Sequence, residues 1–557
     1  MTQKRQRVGR RDFLKKGAAA GLGASALPGL AVQAQTTQRR WDRVADVVVI
    51  GAGASGLPAA IRARDLGATV IIVEENFDIG GNAMVSGGSV PLGGGTSLQK
   101  KYGIEDSADR VFADWTTNKH FWGRYNDREI VRVWADNNAP AFEFLVQNGV
   151  KFIDQAPAKT GIDGSIQSVP RTNRAELPPG GVKVTMAGRN GSGVVRPLAA
   201  SARAKGVEIL LNTKMTSIVR EHPQSGRVLG ITTTNTQTNA TVSIQARRSV
   251  VIATGGHTSN VNFRRIFDPR LTEEYETVGE PWVKNPGEGE IAGLLIGASL
   301  WLACGQALDE DPRTPGLRSN RLSKRSLVGC EFGGVYFPPD SPVFPLARAT
   351  GLTIEDWQDV ILVNQAGRRF WNEDDGSTDF KNACMQSDGS ATNGGGPIWA
   401  IFDADAVTRE KWNPKPPNVD LEGWFFTADT LPELAAKVVK NRHQKRPMPA
   451  AALQDAVTRY NTFVDAGKDS DFGKPAPLHK VQKPPFYAAW ATPLTHDSLV
   501  GLRVNPKMQV IDLFGQVIPG LYCVGESSGG FIMHGLPRCL VLGYIGGKEA
   551  AMDAGKS

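Results

Sequence analysis

The sequence predicts an α/β protein: a central parallel sheet with a β-meander, interrupted by an inserted α+β capping segment. Three observations carry this. Residues 46–88 alternate strand, glycine turn, helix and strand. Short hydrophobic runs ending in glycine turns recur at Ser249–Ala253 and between Gln509 and Gly530. From about residue 261 to 478 the pattern changes to shorter, irregular stretches rich in Trp, Pro and Gly.

Asp46–Ile50 is β-branched and apolar, as suits a strand buried on both faces. It runs into Gly51, Gly53 and Gly56, with Ala54 and Ser55 between the last two. In this pattern one glycine makes the tight turn, one lets a pyrophosphate approach the backbone, and one lets helix pack on strand. Ala59–Leu66 follows as a helix whose N-terminus faces the phosphates, and Gly67 stops it. Ala68–Val73 is a second strand, ending at Glu74 and Glu75. A carboxylate at Glu74, 18 residues after Gly56, accepts hydrogen bonds from ribose hydroxyls. Together these define a Rossmann-type dinucleotide unit, and the fingerprint alone serves NAD or FAD equally. Gly80, Gly81 and Asn82, then Ser86, Gly87 and Gly88, let backbone amides come close to a phosphate or a flat ring.

Ser107–Asn148 reads as mostly helical, Pro170–Gly193 as a polar connection, Val194–Lys205 as a helix and Val207–Leu211 as a strand. Lys214–Arg220, Val228–Thr234 and Gln245–Ala253 form a β-meander ending in Ala253-Thr254-Gly255-Gly256, a second close backbone approach. The inserted segment holds Trp301, Trp357, Trp371, Trp399, Trp412 and Trp424, expected mostly in its core. Strands at Gln509–Leu513 and Leu521–Val524, with a turn at Pro519-Gly520, lead to Gly525 and Glu526 and to a helix from about Leu542 to Met552. The expected division is a targeting segment at 1–34, a nucleotide-binding domain at 42–260 and 479–557, and a capping domain at 261–478.

Bulk properties exclude several functions. Of the net charge of +8, residues 1–34 contribute +6, with seven Lys or Arg against Asp12. The remaining +2 gives no basic face for nucleic acid. Arg10-Arg11-Asp12-Phe13-Leu14-Lys15, the Ala/Gly-rich stretch 17–32 and Val32-Gln33-Ala34 read as a cleavable twin-arginine export signal, hence a periplasmic location. That stretch is too short and weakly apolar for a membrane span. Five cysteines (Cys304, Cys330, Cys384, Cys523, Cys539) show no zinc, iron–sulfur or haem spacing, so no metal is expected and buried thiols are.

The segments VIGAGASGLPAA, VEENFDIGGNAMVSGG, VIATGG, NQAGRRFWNED, KPPFYA, GQVIPGLYCVGESSGG and HGLPR resemble the flavoproteins related to fumarate reductase and succinate dehydrogenase, which include 3-ketosteroid Δ1-dehydrogenases. The resemblance covers nearly the whole chain after residue 42. It implies FAD, held by the glycines and residues 253–256 above, with Glu74 on the adenosine ribose, Glu526 near the ribityl chain and Leu540 beside it. No histidine lies in Asn82–Ser86, so noncovalent FAD is implied. The implied chemistry is hydride transfer between flavin and a C–C bond beside a carbonyl or carboxylate.

Arg538 matches the arginine that holds a substrate carboxylate in fumarate reductases. His534 belongs to the same segment. The family histidine of a neighbouring segment aligns with His496 or with Asp497. Tyr487 corresponds to a tyrosine that polarises the keto group in ketosteroid dehydrogenases. The proton-delivering arginine expected a few residues after Asn372-Glu373 falls near Ser377, where none is present, while Asp374, Asp375 and Asp379 are acidic and Lys381 is basic. The sequence therefore favours a bulkier, less charged substrate than fumarate, with a ketosteroid dehydrogenase-like enzyme as the alternative. Electrons would pass to or from a separate periplasmic cytochrome or a quinone. A reading of another class is an FAD-binding electron-transfer subunit.

Overall fold

The computed structural model describes residues 40–84, 86–117, 126–159, 166–177, 191–277, 280, 283–302, 317–320, 352, 354, 356–374, 383–387, 395–416, 419–492 and 494–555. The proposed signal at 1–34, Cys304, Cys330, Ser377 and Lys381 lie outside these residues.

Strand β1 (Arg43–Ile50) is followed by helix α1 (Gly56–Asp65) and strand β2 (Val70–Val73). Val47, Val48 and Val49 are fully buried, as a strand covered on both faces requires. Helix α1 ends where Leu66 caps it and Gly67 takes φ +85°, a conformation a Cβ would strain. Helix α2 (Ser192–Ala204) and strand β3 (Glu208–Leu210) come next. The meander then forms as expected but with longer strands: β4 (Thr213–His222), β5 (Ser225–Asn235) and β6 (Thr241–Ile252).

The inserted segment builds its own four-stranded antiparallel sheet. Its strands are β7 (Ile361–Val363), β8 (Trp399–Phe402), β9 (Phe425–Ala428) and, after helices α3 (Leu431–Val438) and α4 (Ala450–Ala466), β10 (Phe486–Trp490). The order is β7-β8-β10-β9. The period-two alternation sorts its residues onto two buried faces. Leu362, Ala400, Phe402, Phe425 and Tyr487 share one core cluster; Ile361, Trp399, Ile401, Phe426 and Trp490 join the helices in the other. Trp357, Trp399 and Trp424 are core residues, as expected.

Strand β11 (Leu494–Ser498) leads back to β12 (Gln509–Ile511) and β13 (Val517–Cys523), which complete the first sheet in the order β12-β13-β6-β1-β2-β3. The pairs β13–β6, β6–β1, β1–β2 and β2–β3 are parallel. Two local expectations are corrected here. Pro519-Gly520 is not a turn between strands but lies inside β13, where pairing with β12 shifts register and a missing N–H is tolerated. The last helix, α5 (Leu536–Met552), begins six residues earlier than expected, because Pro537 sits in its first turn, where its absent N–H has no intrahelical partner to lose. Glycines let α5 approach α1 closely: a Cβ on Gly543 or Gly547 would lie 2.2 Å from the carbonyl oxygen of Ser55 or Ala59.

The NQAGRRFWNED segment proves to be a staple of the inserted sheet. Arg369 bonds Glu373 through two nitrogens, at 3.0 and 2.8 Å, and Asp469 at 3.0 Å. Lys474 lies 3.4 Å from Glu373, which also accepts the Leu362 N–H at 3.0 Å. Burial works to raise the Glu373 pKa, but Lys474 and Arg369 outweigh it and hold the carboxyl below its ordinary value. Two carboxylates thus compensate two cations away from water. Replacing Glu373 by Ala strands two cations on one acid, and the expected loss is about 3–5 kcal/mol, read as a lower denaturation midpoint; an unchanged midpoint would contradict this arrangement.

Candidate functional site

The glycine turn after β1 exists because two backbones nearly touch there. Gly51 has φ +103°, and a Cβ on it would lie 2.4 Å from the Ala253 carbonyl oxygen at the end of β6. A Cβ on Gly56 would lie 1.9 Å from the Gly51 oxygen. Gly53, by contrast, has only the Gly80 oxygen at 3.8 Å, and Gly87 has nothing within 4 Å, so these backbones leave open space beside them. The Gly80 N–H donates to the Ala52 oxygen at 2.9 Å, locking the Gly80-Gly81-Asn82 turn onto the first loop. The Ser55 side chain does not cap α1, and the buried Asn82 Oδ1 has no partner. Open glycine backbone and an uncapped helix start form a cradle fitted to a nucleotide diphosphate, while the orphaned Asn82 oxygen calls for a donor.

Glu74 closes one end of this cradle. Its carboxylate accepts the Ala52 N–H at 2.7 Å and the Asn76 N–H at 2.9 Å, and burial raises its pKa. Those bonds orient the group and leave further lone pairs for ribose hydroxyls. Glu75 turns instead to Lys214, at 2.7 Å, which also pairs with Glu288; it belongs to an ion pair rather than to the cradle.

At the other end three segments distant in sequence converge. A Cβ on Gly256 would lie 2.3 Å from Ser498 Oγ and 2.5 Å from Glu526 Oε1. Ser498 Oγ accepts the His257 N–H at 2.8 Å, and the Ser498 N–H donates to Glu526 at 2.7 Å. Ser527 Oγ donates to the Gly255 oxygen at 2.7 Å and lies 3.2 Å from Thr254 Oγ1. A Cβ on Gly525 would lie 2.6 Å from Ser55 Oγ, so the Gly525-Glu526 loop rests on the first glycine loop. Leu540 is buried in α5.

Arg538 stands in the first turn of α5 and is 2% exposed. One terminal nitrogen donates to the Ser528 oxygen and the other, at 3.5 Å, to the Ser498 oxygen, leaving Nε buried without a partner. The arginine therefore ties β11 to the Glu526 loop. Burial lowers its pKa. Burial, then the charge of Asp497, pushes the Glu526 carboxyl up to about 8, against the Ser498 N–H and Arg538. His534 Nδ1 lies 2.8 Å from Asp497 Oδ2.

The structure thus brings together Arg538, His534, Glu526 and residues 253–256. Asp497, one of the two positions aligned with the family histidine, carries a contact to this group. His496 lies beside it in β11, with its side chain outside the described residues. Tyr487 is not among them: it stacks on Phe402 at 5.1 Å and contacts Phe425 in the core of the inserted sheet, where burial raises its pKa. The sequence reading missed a further group. His257 Nδ1 lies 3.3 Å from Glu290 Oε1, both fully buried, and His257 Nε2, Thr258 Oγ1, Asn285 Nδ2 and Glu290 Oε2 are buried without partners. The signal was the glycine-rich Pro286–Glu290 stretch. Cys384, Cys523 and Cys539 are free thiols, and no metal-binding cluster is found among the described residues.

Comparison with known proteins agrees with this cradle. The chain matches the model of a family described as FAD binding domain over residues 46–539. It is 28% identical to the acrylate reductase flavoprotein subunit of Shewanella woodyi, over 96% of this chain and 97% of that protein. It is 26% identical to the 3-oxosteroid 1-dehydrogenase of Mycolicibacterium smegmatis, over 92% and 98%. Its fold is that of a flavocytochrome c3 fumarate reductase in the open conformation, with a TM-score of 0.64 at 23% identity, covering 99% of this chain and 83% of that one.

Gly51→Ala tests the close approach. The Cβ would meet the Ala253 oxygen at 2.4 Å in a backbone conformation that alanine resists. The expected outcome is a folded protein purified largely without flavin; full flavin content would refute the assigned contact.

Proposed function

Because the chain belongs to the FAD binding domain family, we propose that it is an oxidoreductase exchanging hydride between FAD and a C–C bond beside a carbonyl or carboxylate. The observation that carries this is the convergence of Gly255, Gly256, Ser498, Glu526, His534 and Arg538 at the ends of the parallel strands, where α/β sheets bind ligands. One relative of matching length is named a reductase of acrylate and another a dehydrogenase of 3-oxosteroids, which share redox chemistry at such a bond. FAD supplies hydride acceptance or donation.

This chain's own groups do the rest. Gly51, Gly53, Gly56 and Gly80–Asn82 hold the diphosphate, and Glu74 the ribose. The FAD is noncovalent, since Asn82–Ser86 offers no histidine. Arg538, engaged with two backbone carbonyls, keeps the Glu526 loop against β11, and its Nε has no partner. The Asp497 carboxylate nearby disfavours a dianion. This supports a substrate less charged than fumarate.

The enzyme works in the periplasm after twin-arginine export and exchanges electrons with a separate cytochrome or a quinone. Among the described residues no helix is long and apolar enough to cross a membrane.

Anaerobic stopped-flow mixing tests the reading. Oxidised holoprotein is mixed with ketosteroid-like, aromatic and carboxylic candidates, and dithionite-reduced holoprotein with enones, enoates and fumarate. Rapid flavin bleaching or reoxidation by a neutral or monoanionic carbonyl compound is expected. Reoxidation fastest with fumarate would overturn the substrate class, and no reaction with any C–C substrate would favour an electron-transfer subunit.

A further inference from the structure

The inserted segment carries a concentration of charge that the whole-chain balance conceals. After residue 34 the chain is only +2, yet between Glu433 and Asp455 it holds Lys437, Lys440, Arg442, Lys445 and Arg446 and no acid. These cations lie at the end of α3 and in its connection to α4, and all five are exposed. A basic face therefore exists, confined to one connection.

That connection is pinned to the segment leaving the second glycine loop. Arg442 pairs with Glu276 at 2.9 Å and Lys445 with Glu273 at 3.5 Å, while their side chains stay 65% and 49% exposed. The Arg442 guanidinium also lies over the Trp424 ring, 5.2 Å from its centre. Arg265 is close enough to act on Glu273 as well. A backbone N–H of Glu273 itself, then Lys445 and Arg265 against the effect of burial, hold that carboxyl below its ordinary value. Lys440 and Arg446 make no ion pair among the described residues. Two apolar side chains stand open to water beside these cations in the chain: Val439 next to Lys440 and Ile266 next to Arg265. Fixed cations with apolar neighbours are the make-up of a surface that docks a protein. Lipid headgroups are fluid and need no such pinning.

The face is also bonded to the strand that carries the site. The Glu276 carbonyl oxygen accepts the Thr495 N–H at 2.7 Å and the Thr495 hydroxyl at 2.9 Å. Ser498, which bonds Glu526 and the His257 N–H, lies three residues further along β11, about 10 Å away.

We propose that the Lys437–Arg446 connection, with Arg265, is the docking surface for an acidic face of the separate cytochrome. The inference rests on the oxidoreductase reading above and gives its electron partner a place. In the exchange two ferric haems become ferrous for each reduced flavin that is oxidised, and the protons released go to water.

The test compares FAD-loaded wild type with the double variant Lys440→Glu, Arg446→Glu, which disturbs no ion pair. The flavin is photoreduced without oxygen and mixed in stopped flow with an acidic ferricytochrome c, a basic ferricytochrome c and a neutral quinone. Wild type is expected to reduce the acidic cytochrome faster than the basic one at low ionic strength, and more slowly as salt is raised. The variant is expected to lose about 10-fold or more of the rate with the acidic cytochrome, along with its salt dependence. Its flavin content and its rate with the quinone should be unchanged. Equal rates of wild type and variant with the acidic cytochrome would overturn the proposal. So would reduction of neither cytochrome while the quinone reoxidises the flavin; the oxidoreductase reading, judged by C–C substrates, would stand in both cases. Binding to phosphatidylglycerol vesicles that the variant loses, with no change in the cytochrome rate, would assign the face to a membrane and equally overturn it.

Discussion

The structure depends on close contact between backbones at the ends of β1 and β6. With the Gly51 position only 2.4 Å from the Ala253 oxygen once a Cβ is added, nothing larger than glycine fits. That contact makes the parallel strands end together and sets the first loop where the Gly525 loop can rest on Ser55. Gly543 and Gly547 repeat the device along α5, bringing the helix onto α1 at backbone distance. A nucleotide-sized cradle follows from sequence because only these glycines permit it. The same run leaves Gly53 and Gly87 with space beside them.

The second constraint is electrostatic. Glu526, Asp497 and Glu290 lie close enough for their charges to act on one another, with Arg538 buried among them and His534 bonded to Asp497. Burial first, and then the Asp497 charge beside it, pushes the Glu526 carboxyl upward. The inserted sheet solves the same problem differently. Arg369, Glu373, Asp469 and Lys474 balance charge for charge, and the carboxyls there are held down. One cluster is built to stay ionised and hold a sheet together; the other keeps a proton beside a histidine.

The strands, the meander, the glycine loops and Glu74 were legible because each rests on local rules: β-branched runs, left-handed turns and a fixed spacing from glycine to acid. The start of α5 was not: Pro537 lies in its first turn, where proline is welcome although it disfavours a helix interior. Pro519-Gly520 misled for a related reason, since a register shift accommodates it inside β13. Arg538 was found but its engagement was not, because its partners are carbonyl oxygens of Ser498 and Ser528, which have no sequence signature. Asp497 with His534, and His257 with Glu290, are pairs separated by 37 and 33 residues, joined only by tertiary packing. Tyr487 was legible as an aromatic in a strand; that it faces Phe402 depends on the antiparallel register of β8 and β10.

The account stands on direct hydride transfer at the convergence of the two glycine loops with β11. Anaerobic bleaching of the oxidised holoprotein by the saturated member of its substrate pair measures this most directly, when repeated with deuterium on the carbon that gives up hydride. The account predicts slower bleaching with the deuterated compound. Equal rates would mean that electrons reach the flavin by another route, and substrate turnover without bleaching would reduce FAD to a structural part.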